Sequence, residues 1–313
     1  MGKRVLLGVD GSERCLNAIS TAGQLFMDQT DYDLVLYHCV RQLSSLYPGE
    51  ICGRESAHVE AEKKKGDEII LGARRSLLDG GFPQERLQTK LKLDSADPVQ
   101  DILSEASAQK IETIVVGRRG LSRVKSNLLG SVSSAVVMHS NHHTVWVVDT
   151  PVHRPQKVLV AVEGIPECHI LTQYASDYFG SVPDLKFTFT NLIPSVPPTL
   201  WDDGHILTPD EQKERNAQTE KWRTGWRERV EEFMADGREF MIHSGVAAEN
   251  VETRVESVKQ GISEDLLDII AEGEYQIVII GKKSFQKRAP FLLGSHANKL
   301  LNNVSGVVLC MVG

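Results

Sequence analysis

Three glycines and a serine define the chemistry open to this chain. Residues 117–131 read GRRGLSRVKSNLLGS, placing Gly117, Gly120, Gly130 and Ser131 in one stretch. The stretch follows a β-branched run at 113–116 and precedes an amphipathic run reaching Met138. It therefore joins the C-terminal end of a buried strand to a helix N-terminus. Gly117 and Gly120 admit positive φ and let backbone N–H groups approach a ligand, and Gly130 and Ser131 open a helix whose first amides lack partners. Arg118, Arg119, Arg123 and Lys125 add positive charge to the same loop. Phosphate is the anion these features favour.

A second candidate lies far upstream. The apolar run at 4–9 ends in Asp10, followed by Gly11, Ser12 and Glu13. Asp10 or Ser12 can cap the helix that carries Cys15, Ala18, Ile19, Ala22 and Leu25 on one face. Further strands are expected at 34–40, 87–93, 113–116 and 144–148, with helices at 56–78, from 97 onward and at 131–139. Strands that are continuously apolar and alternate with helices form a parallel sheet covered on both faces. Right-handed crossovers put the loops after the first and fourth strands on one sheet edge, where the winding reverses and ligands bind. Asp10 and Gly117 both sit at such ends, so one ligand could touch both.

The pattern then restarts. Residues 149–156, DTPVHRPQ, hold two prolines and little apolar content and read as a linker. KVLVAVEGIPEC at 157–168 matches KRVLLGVDGSERC near the start at an offset of 153, and IVIIGKKSF with LLGS at 277–295 matches IVVGRRGLS with LLGS at 114–131 at an offset of 164. The second half thus holds eleven extra residues, expected around the proline-rich stretch 194–209. A repeat this long is a pair of domains, 1–150 and 157–313. In the second, Glu163 replaces Asp10 and Ser284 stands where the first has Gly120, so binding is expected mainly in the first.

The two motifs together resemble the nucleotide-binding signature of the universal stress protein family, and the resemblance covers nearly the whole chain twice. It implies two tandem flavodoxin-like or Rossmann-like domains of the adenine nucleotide alpha hydrolase-like type. Each would be an open five-stranded parallel sheet with helices on both faces. By position, the resemblance puts Asp10 near the ribose and adenine, Cys39 at the adenine, and Gly117, Gly120, Gly130, Ser131, Val132 and Ser133 around the phosphates. It implies ATP or AMP as ligand, with or without Mg²⁺, and pairing of the domains through their last strands at 144–148 and 307–311, a homodimer being optional.

Other features bound the function. The net charge of −7 argues against a general nucleic-acid binder. The start MGKRVLLGVDGSE is too short in apolar residues for a signal-peptide core, and no run has the length to span a bilayer, so a soluble cytoplasmic protein is expected. Cys15, Cys39, Cys52, Cys168 and Cys310 are scattered without CxxC spacing, which suggests neither disulfides nor zinc. No GxxxxGK[ST] loop, GxSxG elbow or HExxH pair is present, so no catalytic residue and no metal ligand is assigned. Binding with at most slow hydrolysis is the expectation, and a nucleotide-free interaction scaffold is the alternative. His38 is expected to be a satisfied core residue, His142 and His143 to complement a helix end, residues 63–65 to form a solvated face, and Trp222 and Trp226 to pack against the second sheet or the other domain.

Overall fold

The computed structural model describes residues 3–41, 55–118, 130–152, 154–162, 165–195, 208–282 and 293–313; for 55–58 and 165–168 it describes the backbone alone. Gly120, Arg119, Arg123, Lys125, Cys52, Glu163 and Ser284 lie outside these residues, and Cys168 is described by its backbone only. The chain divides into two compact units, one comprising Met1–Pro155, Lys287–Leu293 and Leu301–Gly313, the other Gln156–Gln286 and Gly294–Leu300.

The first unit runs β1 (Lys3–Gly8), α1 (Glu13–Phe26), β2 (Tyr32–Arg41), α2 (Glu55–Asp79), β3 (Leu87–Ser95), α3 (Pro98–Ala108), β4 (Thr113–Gly117), α4 (Ser131–His139) and β5 (Thr144–Val148). Its strands lie in the order β3-β2-β1-β4-β5, every neighbouring pair parallel. The winding moves outward from β1 to β3, then jumps back across β1 to β4. With right-handed crossovers, that reversal places α1 and α2 on one face and α3 and α4 on the other. The contacts agree, since α1 packs on α2 and α3 on α4. β4 and β5 are buried along their whole length, as strands covered on both faces must be. Trp146 of β5 is fully buried, its ring stacked on Phe26 of α1 at a centroid distance of 5.4 Å. Beyond β5 the unit is extended by β10 (Val308–Val312), which pairs antiparallel with it, Val308 opposite Val148 and Met311 opposite Val145.

The second unit repeats the pattern with β6 (Lys157–Ala161), α5 (Ile165–Phe179), β7 (Lys186–Ile193), α6 (Pro209–His243), β8 (Val251–Ser257), α7 (Ile262–Gly273) and β9 (Ile277–Gly281), and α8 (Ser295–Asn303) precedes β10. Its strands are ordered β9-β6-β7-β8, all neighbours parallel. Corresponding positions keep the 153 offset through β7 and the 164 offset from the short turn before β8 onward. Lys110 and Glu274, an offset pair, both adopt φ of 55°. The change of offset spans α6, which has 35 residues against 25 in α2. Part of the extra length is therefore helical; residues 196–207 of the expected proline-rich loop lie outside the described residues. Thr208 starts α6 with a reciprocal capping box to Glu211, and Pro209 occupies the first turn, where its missing N–H is harmless.

Candidate functional site

In the first unit a cleft of about 500 Å³ opens at the C-terminal ends of β1, β2 and β4. That is the reversal point of the sheet, where open α/β folds leave a crevice. Asp10, Cys39, Gly117, Gly130, Ser131, Val132 and Ser133 all line it. Residues separated by more than a hundred positions meet there because β1 and β4 are adjacent and parallel, Leu7 beside Val115.

Each wall has a local cause. Asp10 closes a turn: its Oδ1 accepts the Ser12 amide at 2.9 Å and the Ser12 hydroxyl at 2.7 Å. The α1 cap is Ser12, whose hydroxyl oxygen accepts the Cys15 amide. Of the two capping residues the sequence offers, Asp10 is thus the one not used as the helix cap, and its two bonds to Ser12 both fall on Oδ1. Across the cleft, α4 begins at Gly130 with no side-chain cap. The amides of Ser131, Val132 and Ser133 have no acceptor among the described residues, the first intrahelical bond being Ser134 to Gly130. By contrast α1, α3 and α6 are capped by Ser12, Asp97 and Thr208. Three unmatched N–H groups at the positive end of a helix, facing a crevice, are an arrangement that suits an anion.

Gly117 departs from its expected use. It does not adopt positive φ. Its requirement is close approach: a Cβ there would lie 3.1 Å from the carbonyl carbon and oxygen of Arg14 and from the Cys15 nitrogen. The first turn of α1 therefore rests directly on the end of β4, and Asp10 and Gly117 line the same cleft. The Ser133 hydroxyl donates to the Gly117 carbonyl at 2.7 Å, so its proton ties α4 to that strand end. Arg118 departs as well. Expected to charge the loop, it is 4% exposed and donates to the Asn302 carbonyl at 3.0 Å.

Side chains from β2, α2 and α3 complete the cleft, and of these Cys39 alone is a residue the sequence points to. Tyr37, Cys39 and Arg41 come from β2; Glu62, Lys65, Gly66 and Ile69 from α2; Pro98 and Ile102 from α3. The spacing on α2, three or four residues apart, is the available signal. Lys65 lies at the cleft rim although the run 63–65 reads as a solvated face. Gly66 lets α2 come down on β2, since a Cβ there would meet Val40 at 2.7 Å. His38 Nδ1 bonds the Val9 carbonyl at 2.6 Å, linking the tips of β2 and β1. Burial pushes the Cys15 thiol up to about 12, with Asp10 adding to it, and pushes Cys39 up to about 11. Both stay protonated at neutral pH, so neither is a nucleophile there.

The other residues singled out in the sequence fall elsewhere. His143 links α3 to the start of β4, its Nδ1 on the Ile111 carbonyl and its Nε2 on the Ser107 hydroxyl. Trp222 and Trp226 stack on each other at 5.8 Å, with Arg229 over Trp226. The helices α2 and α6 end 164 residues apart, at Asp79 and His243, and counted back from those ends Trp226 and Arg229 stand where the first repeat has Glu62 and Lys65. The second unit also carries a larger groove of about 760 Å³ between α7 and the face of β7 and β8. Lys157, Lys186 and Arg254 oppose Glu252, Glu256 and Asp268 there. It runs along the strands rather than at their C-terminal ends, and is an open polar sheet face. Among the described residues no group of three or more His, Cys, Asp or Glu could hold a metal ion, and no helix is long and apolar enough to cross a membrane.

The order of the first sheet, with its crevice at the reversal point, defines a Rossmann-like α/β protein. The model of the universal stress protein family matches residues 1–149 and again 155–311, and the chain belongs to that family as a tandem member. Universal stress protein YxiE of Bacillus subtilis (strain 168) is 29% identical over 142 residues, covering 44% of this chain and 92% of its own length. Over the whole chain the fold is similar to the crystal structure of a universal stress protein from Archaeoglobus fulgidus DSM 4304, with a TM-score of 0.64 and 16% identity over 99% of this chain and 97% of that one. It is also similar to a functionally unknown protein from Pseudomonas aeruginosa PAO1, with a TM-score of 0.61 and 14% identity over 99% and 92%.

Proposed function

We propose that the first repeat binds an adenine nucleotide, ATP or AMP, in the cleft between Asp10 and the start of α4, and that the chain acts as a cytoplasmic stress-response binding protein. The observation that carries this reading is the uncapped start of α4, whose amides at Ser131, Val132 and Ser133 open on the same crevice as Asp10. These amides and the Ser131 hydroxyl would hold phosphate oxygens, and Asp10 Oδ2 would accept from a ribose hydroxyl. Tyr37, Cys39, Pro98 and Ile102 supply an apolar wall suited to a base. A cleft of about 500 Å³ falls within the usual size of small-molecule sites. Mg²⁺ would ride on the phosphates, the described residues offering it no cluster of their own.

Hydrolysis is at most slow in this reading. The cleft thiols are protonated, so neither Cys15 nor Cys39 serves as a nucleophile or base there. The second repeat, with Trp226 and Arg229 at the positions of Glu62 and Lys65, is the regulatory or structural half. Pairing of the repeats through their last strands belongs to the same reading, supported by the β5–β10 ladder; a homodimer is not required.

Calorimetric titration of the full chain with ATP, ADP and AMP, each with and without Mg²⁺, tests this. One site per chain is expected. No heat and no thermal shift at millimolar nucleotide would leave the scaffold reading in its place.

A further inference from the structure

Residues 301–313 belong to the second repeat by sequence and to the first compact unit in space. Two arginines beside the glycine loop are tied to them. Arg118, immediately after Gly117, is buried, and its Nη2 donates to the carbonyl oxygen of Asn302 at 3.0 Å. Arg14, whose backbone lies against Gly117, bonds Asp149 Oδ1 at 2.8 Å, and Asp149 Oδ2 accepts the Gly306 amide at 3.2 Å.

Between these two ties sits the neck of the glycine loop. The Arg118 amide donates to the Val148 carbonyl at 2.8 Å and its carbonyl accepts the Gly130 amide at 2.8 Å. Arg118 and Gly130 therefore hold the loop's two ends together, and the residue that does so is gripped through its own side chain by the tail of the chain. The chemistry of the grip is sound: Asn302 is in the last turn of α8, where carbonyls lack intrahelical partners and the helix end favours a cation. A buried guanidinium with five donors requires such acceptors and would be destabilising without them.

We infer, building on the nucleotide reading above, that the segment 302–306 is a hidden part of the first repeat's site, with Arg118 and Arg14 as positioning residues that couple its docking to nucleotide binding. A tail held in place presets the spacing between Gly117 and Gly130 and hence the aim of the α4 amides. Coupling of this kind is reciprocal, so nucleotide also tightens the tail.

The test uses the full-length chain, with amide hydrogen exchange and calorimetry on the wild type, Arg118→Met, Arg118→Lys and Asp149→Asn, and ATP with Mg²⁺ as the probe. Saturating ATP is expected to slow exchange at 302–306 in the wild type. Arg118→Met should lose that transmitted protection, bind ATP roughly tenfold more weakly, and exchange faster at 130–134 and 302–306 even without nucleotide. Arg118→Lys should recover part of each effect. Asp149→Asn, reached from the less buried side, should show the same pattern more weakly, and serves if Arg118→Met does not fold. ATP bound with no change at 302–306, or wild-type affinity in Arg118→Met, overturns the inference. If the wild type binds no ATP, the nucleotide reading fails and takes the coupling with it; the nucleotide-free exchange rates then still decide whether the arginine clamp exists, and unchanged rates in Arg118→Met refute it too.

Discussion

Replacing Gly117 by Ala is the most direct probe of how the cleft is held together. The added methyl would stand 3.1 Å from three backbone atoms of Arg14 and Cys15. Ordinary carbon contacts lie at about 3.5–4.0 Å, so the first turn of α1 must retreat by roughly half an ångström. It cannot do so freely: the Ser12 cap, the Asp10 turn and the Cys15 thiol bonded to the Gly8 carbonyl all fix it. Overpacking of this kind is destabilising by about 1–3 kcal/mol. Because the Gly117 backbone is not in the left-handed region, alanine loses less conformational entropy on folding, which offsets about 0.4–1 kcal/mol. The net expectation is a loss of about 1–2 kcal/mol, which for a unit of this size lowers Tm by roughly 2–8 °C in scanning calorimetry. ATP affinity, measured by titration on the same sample, should also fall, about tenfold, because the retreat separates Asp10 from the α4 amides. Wild-type Tm and wild-type affinity together would refute the close-approach reasoning. A lowered Tm with unchanged affinity would sever the link between that contact and the site.

Asp10→Asn keeps the acceptor for Ser12 but removes the charge, so stability should change little while ATP affinity drops about tenfold in calorimetry. The Cys15 thiol is held neutral to about pH 12 against an ordinary value of 9.0, so its contribution is complete below pH 9 and is lost as pH rises toward 12. It amounts to a few kcal/mol at most, and Cys15→Ala should move the onset of alkaline unfolding to higher pH by circular dichroism. Burial raises Glu105 while bonds from Lys90 and Gln109 outweigh it and lower it overall. Its contribution is therefore present above the usual carboxylate range and lost as pH falls through the lowered value, and Glu105→Gln should flatten the acid limb of the stability profile. Trp146→Ala removes a fully buried ring stacked on Phe26 and should destabilise the first unit by about 3–5 kcal/mol in urea.

Much of the site was legible because its signals are local. An unbroken apolar run ending in Gly117 implies a covered strand, and Gly130-Ser131 ahead of an amphipathic run implies a helix start; β4 and α4 lie at those positions. Topology followed from handedness, which brought the ends of β1 and β4 together. The wall contributed by α2 was not legible, because Glu62 and Lys65 look like any solvated helical face until Gly66 lets that helix settle on Val40. Arg118 misled for a related reason: an arginine in a glycine loop has the right charge for phosphate, and nothing nearby reveals a carbonyl 184 residues away.

By itself, then, the sequence determined the two repeats, their strands and helices, and which end of the first sheet carries the crevice, since periodicity, caps and crossover handedness act over a few residues or one connection. Only the tertiary structure decided that Gly117 is there for close packing, that Arg118 turns inward, and that residues 301–313 complete the first unit. Those outcomes depend on which distant surface packs against each group and on the buried donors and acceptors that must then be paired, and neither is written in any short stretch of chain.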